Sequence, residues 1–392
     1  MDPRDPVLVS AARTPIGKFM GMYSQVPAVT LGATAIGHAV ERAGLEVGAA
    51  EYVIMGHVLQ AGQGQNPARQ AAVGANLPMT TPAATINKVC LASLNAIALA
   101  GQMVRSGEAE VVIAGGMESM SRAPHLCDEL RGGHRMGPTT MRDAMISDGL
   151  WCAFDDLSMG ESADAVHERE GISREEQDQW AAESQRRAAA ATAAGRFAAE
   201  LVPVPLAAGP AGPMRDECIR EDTTLARLSE LRPAFRPDGT VTAGNASQLS
   251  DGAAAVVVMS RGRAERDGHP ILAEIAAHGM VAGPDATLHP QPVNAIRRIL
   301  STTGYGERQI DLFEINEAFA GVAVYAAREL ELGPERVNVN GGAVALGHPL
   351  GCTGARLVVT LVHELRRRGG GLGIAALCGG GGQGEALLVK VR

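Results

Sequence analysis

The sequence predicts an α/β protein built from two similar halves, with a large segment inserted into the first. Three observations lead there. Strand-like apolar runs alternate with amphipathic helical stretches along most of the chain. That alternation builds sheets with helices on both faces, and it predicts mainly parallel strands. The same order of elements then occurs twice, and the first copy is interrupted between positions 123 and 239 by sequence of different character.

Taken in order, the copies open with PVLVSAARTP (6–15) and ILAEIAAHGM (271–280). An amphipathic helical stretch follows in each, stopped by Gly44 or Gly304 and leading to the strands YVIMG and LFEIN. Glycine is the natural stop, because it tolerates the left-handed backbone that ends a helix. A second helix and strand come next, ARQAAVGANLP with ATINKVC against AVYAARELELGP with VNVNGG. The third helix and strand are 91–116 and 353–380, and the copies close on DGAAAVVVMS (251–260) and GEALLVKVR (384–392). The organisation expected is 1–121 plus 242–265 for the first half, 122–241 for the insertion and 266–392 for the second half. Inside the insertion, Ser173 and Glu176 form a capping box that opens a long helix, and PVPLAAGPAGP (203–213) is a proline-rich connection.

Composition narrows the function. The 392 residues are 46% hydrophobic, ample for more than one core. A net charge of −8 argues against a nucleic-acid partner. No uninterrupted apolar segment approaches the ~18 residues that span a bilayer, so no membrane partner is expected. The six cysteines include no C-x-x-C pair, so neither a zinc site nor a thioredoxin-like motif is expected. With no apolar signal region at its start, the chain reads as cytoplasmic, with reduced thiols.

Four reactive side chains gather where strands end, which is where open α/β sheets collect ligands. Cys90 stands at a strand-to-helix junction. Free N–H groups and the helix dipole there favour a thiolate and predict a lowered thiol pKa. His348 lies in the glycine-rich stretch NGGAVALGHPLGCTG, at nearly the point of the second copy where Cys90 stands in the first. An imidazole facing a thiol is the usual activating pair. Asn316, next to Glu317, leaves one strand. Cys378 ends another and is followed at once by four glycines. Each of these has an ordinary structural reading as well; a free cysteine is usually a small buried hydrophobe.

Taken together, NKVC (87–90), AGGMESMS (114–121), TAGNAS (242–247), NEAFA (316–320), NGGAVALGHPLGCTG (340–354) and CGGGGQG (378–384) carry a resemblance that covers the whole chain. The sequence resembles the thiolase family, more closely its acetyl-CoA acetyltransferase branch. The resemblance implies duplicated βαβαβαββ halves in α-β-α-β-α layers, with an inserted loop domain acting as lid and CoA-binding region. It implies a ping-pong Claisen condensation of two acetyl-CoA to acetoacetyl-CoA plus CoA, and the reverse thiolysis. Cys90 would carry the acyl group, His348 would take its proton, and Cys378 would be the base at the α-carbon. His348 and a water on Asn316 would form one oxyanion site, and the N–H groups of Cys90 and Gly380 the other. A side chain at Gly380 would then obstruct the site.

Matching positions would line the pantetheine tunnel with Ser247, Ala243, Phe235, Met159, Leu150, Ala318 and Phe319. Arg220 would approach the nucleotide. Coenzyme A thioesters are substrates, and neither a further cofactor nor a metal is implied. Family members are dimers or tetramers, so a homo-oligomer is expected. Ser158 stands before Met159 where histidine is common, and Gln248 follows Ser247 where glycine is common. These departures leave acyl length open between acetoacetyl-CoA and a broader, degradative 3-ketoacyl-CoA range. A ketosynthase-like enzyme fits less well, because such enzymes place histidine or asparagine where Cys378 stands. A non-catalytic CoA or lipid carrier on the same scaffold is the alternative of a different class.

Overall fold

A computed structural model describes residues 2–206 and 212–392 of the chain. The first half contributes β1 (Pro6–Arg13), α1 (Ala28–Arg42), β2 (Tyr52–Gly56), α2 (Pro67–Gly74), β3 (Ala83–Ile86), α3 (Ala92–Ser106) and β4 (Val111–Ser119). The insertion carries α4 (Met159–Glu170) and α5 (Arg174–Ala193), each opened by a serine–glutamate capping box. The proline-rich connection at 203–213 lies partly outside the described residues. Next come β5 (Ser250–Ser260), β6 (Ala273–Ala282), α6 (Pro290–Thr303), β7 (Leu312–Ile315), α7 (Ala320–Glu329), α8 (Thr353–Arg367), β8 (Gly371–Gly379) and β9 (Gln383–Val391).

The strands run β7-β8-β9-β6-β1-β5-β4-β2-β3. Only β2–β3, β2–β4 and β7–β8 are parallel; the other neighbours are antiparallel. The expectation of mainly parallel sheets is therefore corrected to mixed sheets. The last strand of each copy folds back as a partner of β4 or β8, and a strand that returns without a crossover must be antiparallel. The counterpart of β3 shrinks to a single bridge, Phe313 to Val337. The two half-sheets are also joined edge to edge, at Val7–Glu274 and Leu8–Ala273.

Alternation along the strands sets the layers, because successive side chains point to opposite faces. On β4, Val112 and Ala114 face the middle, while Val111 and Ile113 face α1 and α2. On β8, Ala375 and Leu377 face the middle, while Ile374 and Ala376 face α6 and α7. The middle layer is α3 with α8, meeting through Leu94, Ile97, Leu357, Val358 and Leu361. The order is thus helices, sheet, helix pair, sheet, helices. The segment Val89–Ser106, containing α3, reaches membrane-spanning length and mean hydropathy after all, but α3 is a core helix of this middle layer.

Buried charge fastens the insertion to the sheets. The Arg13 guanidinium on β1 grips Asp216 through two hydrogen bonds of 2.7 and 2.9 Å and Glu200 through one of 2.8 Å. On the far side, the Glu317 carboxylate accepts from Trp180 Nε1, Ser184 Oγ, Asn338 Nδ2 and the Val344 N–H. Glu317 therefore does structural work.

The helices of the middle layer approach closely at Gly354, where an added Cβ would lie 2.5 Å from the Leu94 nitrogen. Gly354→Ala should cost ~1–3 kcal/mol in denaturant unfolding. Gly132→Ala, where an added Cβ meets nothing within 4 Å, should stay within about 0.5 kcal/mol of the parent.

Candidate active site

Three loops meet at one end of the middle layer. The first joins β3 to α3. The Asn87 Oδ1 accepts the Val89 N–H at 2.9 Å, turning the chain sharply. Val89 sits at φ +50°, a left-handed conformation that strains a β-branched residue by ~1–3 kcal/mol. Cys90 follows it directly, just before α3.

The second loop leads from the short helix Ala343–Leu346 into α8 and carries His348. Its imidazole Nδ1 lies 2.6 Å from Thr353 Oγ1, and that hydroxyl donates to the Pro349 carbonyl at 3.0 Å. One hydroxyl has one proton. The arrangement that satisfies both contacts therefore has the Nδ1–H donating to Thr353, which makes Nε2 the acceptor nitrogen. Asn316 Nδ2 lies 3.5 Å from that Nε2, and Asn316 Oδ1 is buried with no partner among the described residues. The loop is pinned at Gly351, whose N–H donates to Glu118 Oε2 at 2.9 Å. The same buried carboxylate accepts from the Val58 and Leu59 N–H groups, so one side chain ties the two halves together.

The third loop is the glycine hairpin between β8 and β9, in which Cys378 pairs with Gly384. The demand for glycine falls around position 380 rather than on it. An added Cβ at Gly379 would lie 2.6 Å from Leu91, and one at Gly382 would lie 1.9 Å from the Asp285 carbonyl. At Gly380 it would meet only Val89, at an ordinary 3.4 Å. Packing of the protein against itself thus does not demand glycine at 380; a side chain there would stand at the wall of the cavity described next.

Cys90, His348, Cys378 and Gly380 open into one cavity of about 50 Å³, with Leu150, Met159, Ser247, Ala318 and Phe319. Gly149, Leu288, Leu350 and Gly379 complete its wall and escaped the sequence reading. A second cavity of about 140 Å³ shares Leu150, Met159, Ser247, Ala318, Phe319 and His348, and adds Phe235 and Gln248. Asn316 stands behind His348. Ala243 and Arg220 line neither cavity; Ala243 is exposed, and its carbonyl and Gln248 Oε1 take hydrogen bonds from the Arg220 guanidinium. The hollow of about 310 Å³ around Glu317, between α5 and α7, is lined by no thiol or histidine.

Electrostatics overturn one expectation. Burial pushes the Cys90 thiol up to about 12, although the N–H groups of Gly380 and Cys90 itself pull it down. Burial, and then the neighbouring Cys90, push Cys378 up as well. Burial, and then the Arg356 charge, hold His348 down at about 3. The helix start does favour a thiolate, but loss of water around the sulfur outweighs it. The resting site is two neutral thiols and a neutral imidazole. All six cysteines are free.

Two family models match the chain end to end: the thiolase N-terminal domain over residues 6–262 and the thiolase C-terminal domain over residues 269–391. The chain belongs to the thiolase family. Thiolases are acyltransferases, and this one falls in the acetyl-CoA acetyltransferase branch. It is 52% identical to a probable acetyl-CoA acetyltransferase of Mycobacterium tuberculosis, over 98% of each chain. It is 50% identical to an acetyl-CoA acetyltransferase of Pseudomonas aeruginosa, again over 98% of each. The crystal structure of the Bacillus anthracis acetyl-CoA acetyltransferase superposes on this thiolase with a TM-score of 0.96 over 99% of both chains, at 40% identity.

The buried His348 of this thiolase should remain a neutral Nδ1–H tautomer from pH 8 to pH 5 in nitrogen-15 NMR; protonation near the ordinary ~6.5 would contradict the geometry. Because the folded value lies below the unfolded one, the unfolded chain takes the proton first as pH falls. This group's contribution to stability is complete above ~6.5 and declines by ~1.4 kcal/mol per pH unit as pH falls toward about 3. Thr353→Val keeps the shape but removes the acceptor. It should cost ~1–3 kcal/mol and mix the tautomers in the same spectra.

Proposed function

We propose that this thiolase condenses two acetyl-CoA to acetoacetyl-CoA and CoA, and runs the reverse thiolysis, through an acetyl-Cys90 intermediate. The observation that carries the reading is the shared cavity of the two thiols, with an imidazole Nε2 lone pair beside them. In the first half-reaction Cys90 sulfur attacks the thioester carbonyl while His348 Nε2 takes the thiol proton. Proton transfer has to accompany bond formation, because a thiol held at about 12 offers little free thiolate. The N–H groups of Gly380 and Cys90 already point at that sulfur, and the carbonyl oxygen gains charge beside them. The tetrahedral intermediate expels CoA thiolate, which takes the proton from His348.

In the second half-reaction the Cys378 thiol gives its proton to His348 Nε2, and the thiolate so formed removes a proton from the methyl group of a second acetyl-CoA. The His348 Nε2–H and a water on Asn316 would donate to the enolate oxygen; the open Asn316 Oδ1 acceptor supports that water. The enolate carbon attacks the acetyl carbonyl, and the C–S bond to Cys90 breaks. The proton held by His348 passes to the Cys90 thiolate and both thiols are neutral again, so the balance is two acetyl-CoA in, acetoacetyl-CoA and CoA out.

Cavity size favours short acyl groups. About 50 Å³ at the sulfurs admits only about three to five water-sized groups at ~10–15 Å³ each. The larger cavity beside it, with the Ser247 hydroxyl and Phe235, suits an uncharged pantetheine arm. Homo-oligomer formation is supported by the edge strand β3 and by exposed Leu130, Met136, Met141 and Phe154 on the insertion. Light scattering should therefore report more than one chain per particle.

Acetyl-CoA alone should label Cys90 in peptide mass spectrometry. Cys378→Ala should still acetylate yet lose condensation at least ~100-fold, the lower bound for a lost acid–base group; full acetoacetyl-CoA synthesis by that variant would falsify the proposed base. His348→Ala should slow both half-reactions. Across a ladder of 3-ketoacyl-CoA substrates, thiolysis should be fastest for acetoacetyl-CoA and fall with length, whereas a flat profile would favour the broader-range reading.

A further inference from the structure

Glu385 is a carboxylate with 0% of its surface exposed, and the chemistry above gives it no role. It sits on β9 beside Gly384, the residue paired across the hairpin with Cys378. Two of its partners come from the other half of the molecule. Lys88 Nζ reaches Oε2 at 3.2 Å, and Asn95 Nδ2 donates to Oε1 at 2.8 Å. Lys88 lies two positions before Cys90 and Asn95 five after it, on the first turns of α3. His278 Nε2, from β6 in the same half, also lies against Oε1 and is the third partner of the carboxylate. One buried side chain on the Cys378 hairpin thus holds the chain on both sides of Cys90. Between those two grips lies Val89, at its strained φ of +50°, and such strain persists only where its surroundings fix it.

We infer that Glu385 is a positioning residue that sets the separation of the two sulfurs, by gripping Lys88 and Asn95 from the strand adjoining Cys378. The inference rests on the condensation reading above. It makes a distinction that a general packing role does not. Acetylation of Cys90 uses Cys90 and His348, whose loop is held by Glu118 and Thr353 and not by Glu385. Carbon–carbon bond formation needs both sulfurs in register across the two halves. A misplacement on the order of 1 Å can cost about 100-fold in rate, and the second half-reaction, which needs both sulfurs as well as the Gly380 N–H, bears the larger share.

The test compares the full-length wild type with Glu385→Gln, which keeps the shape but loses the charge, and with Lys88→Met, at a partly exposed position that removes the charge from the other side. Single-turnover acetylation of Cys90 by acetyl-CoA is followed by mass spectrometry, and acetoacetyl-CoA formation is followed under steady state. Both variants should acetylate within about 3-fold of wild type and condense about 10- to 100-fold more slowly. The double variant should be no worse than the poorer single one, because the two changes break one contact. Equal losses in both half-reactions, no loss in either, or additive losses in the double variant would overturn the inference. If Glu385→Gln does not fold, the Lys88→Met result decides alone. A wild type that neither acetylates nor condenses would instead overturn the reaction reading itself.

Discussion

The close contact of α3 with α8 is the constraint on which the rest of the molecule depends. These two helices form the whole middle layer, and each has a sheet at its back. Their N-terminal ends lie together because both copies run in the same order. That brings the Cys90 turn and the His348 loop to one place. The approach is possible because α8 offers Gly354 where α3 presents Leu94. The β4 residue Gly116 also has no room for a side chain, since an added Cβ would lie 1.9 Å from the Gly351 carbonyl. Duplication thus supplies two helix starts, and small residues let them meet.

Burial then decides the electrical character of the site. A helix start with N–H groups aimed at sulfur is a place for an anion. Here the sulfur is also enclosed by Leu288, Leu350 and Phe319 around a narrow cavity, and desolvation prevails. Charge arises only when substrate provides an oxygen to receive it. Preorganised donors matter most in such a setting, because they need no reorientation as charge moves.

Much of this was legible in the sequence, and the illegible parts have physical reasons. The repeat was readable because helix stops such as Gly44 and Gly304 and the strands after them recur in order. Cys90, His348, Asn316 and Cys378 stood out through reactive side chains beside glycine or at strand ends. Strand direction was misjudged because a returning strand such as β5 or β9 has the same apolar pattern whichever way it runs. The lowered thiol pKa failed because local backbone geometry is visible in sequence, whereas removal of water by Leu350, Leu288 and Phe319 is a tertiary effect. Leu288 and Leu350 look like any core leucine until folded. Glu118 and Glu385 were invisible as cross-half ties for the same reason: their partners lie 233 and 290 positions away.

One feature of the sheet bears on how the chain is made. Strand β5 lies between β1 and β4, yet it is synthesised only after the whole insertion. At about 5–20 residues per second on a ribosome, β4 waits on the order of ten seconds before its neighbour emerges. During that time the edge of β4 that pairs with β5 stays open. The self-capped helices of the insertion can form in the interval, because Ser158 and Ser173 satisfy their own first turns. Nascent chains stalled before position 250 should therefore depend on chaperones more than the full-length chain does.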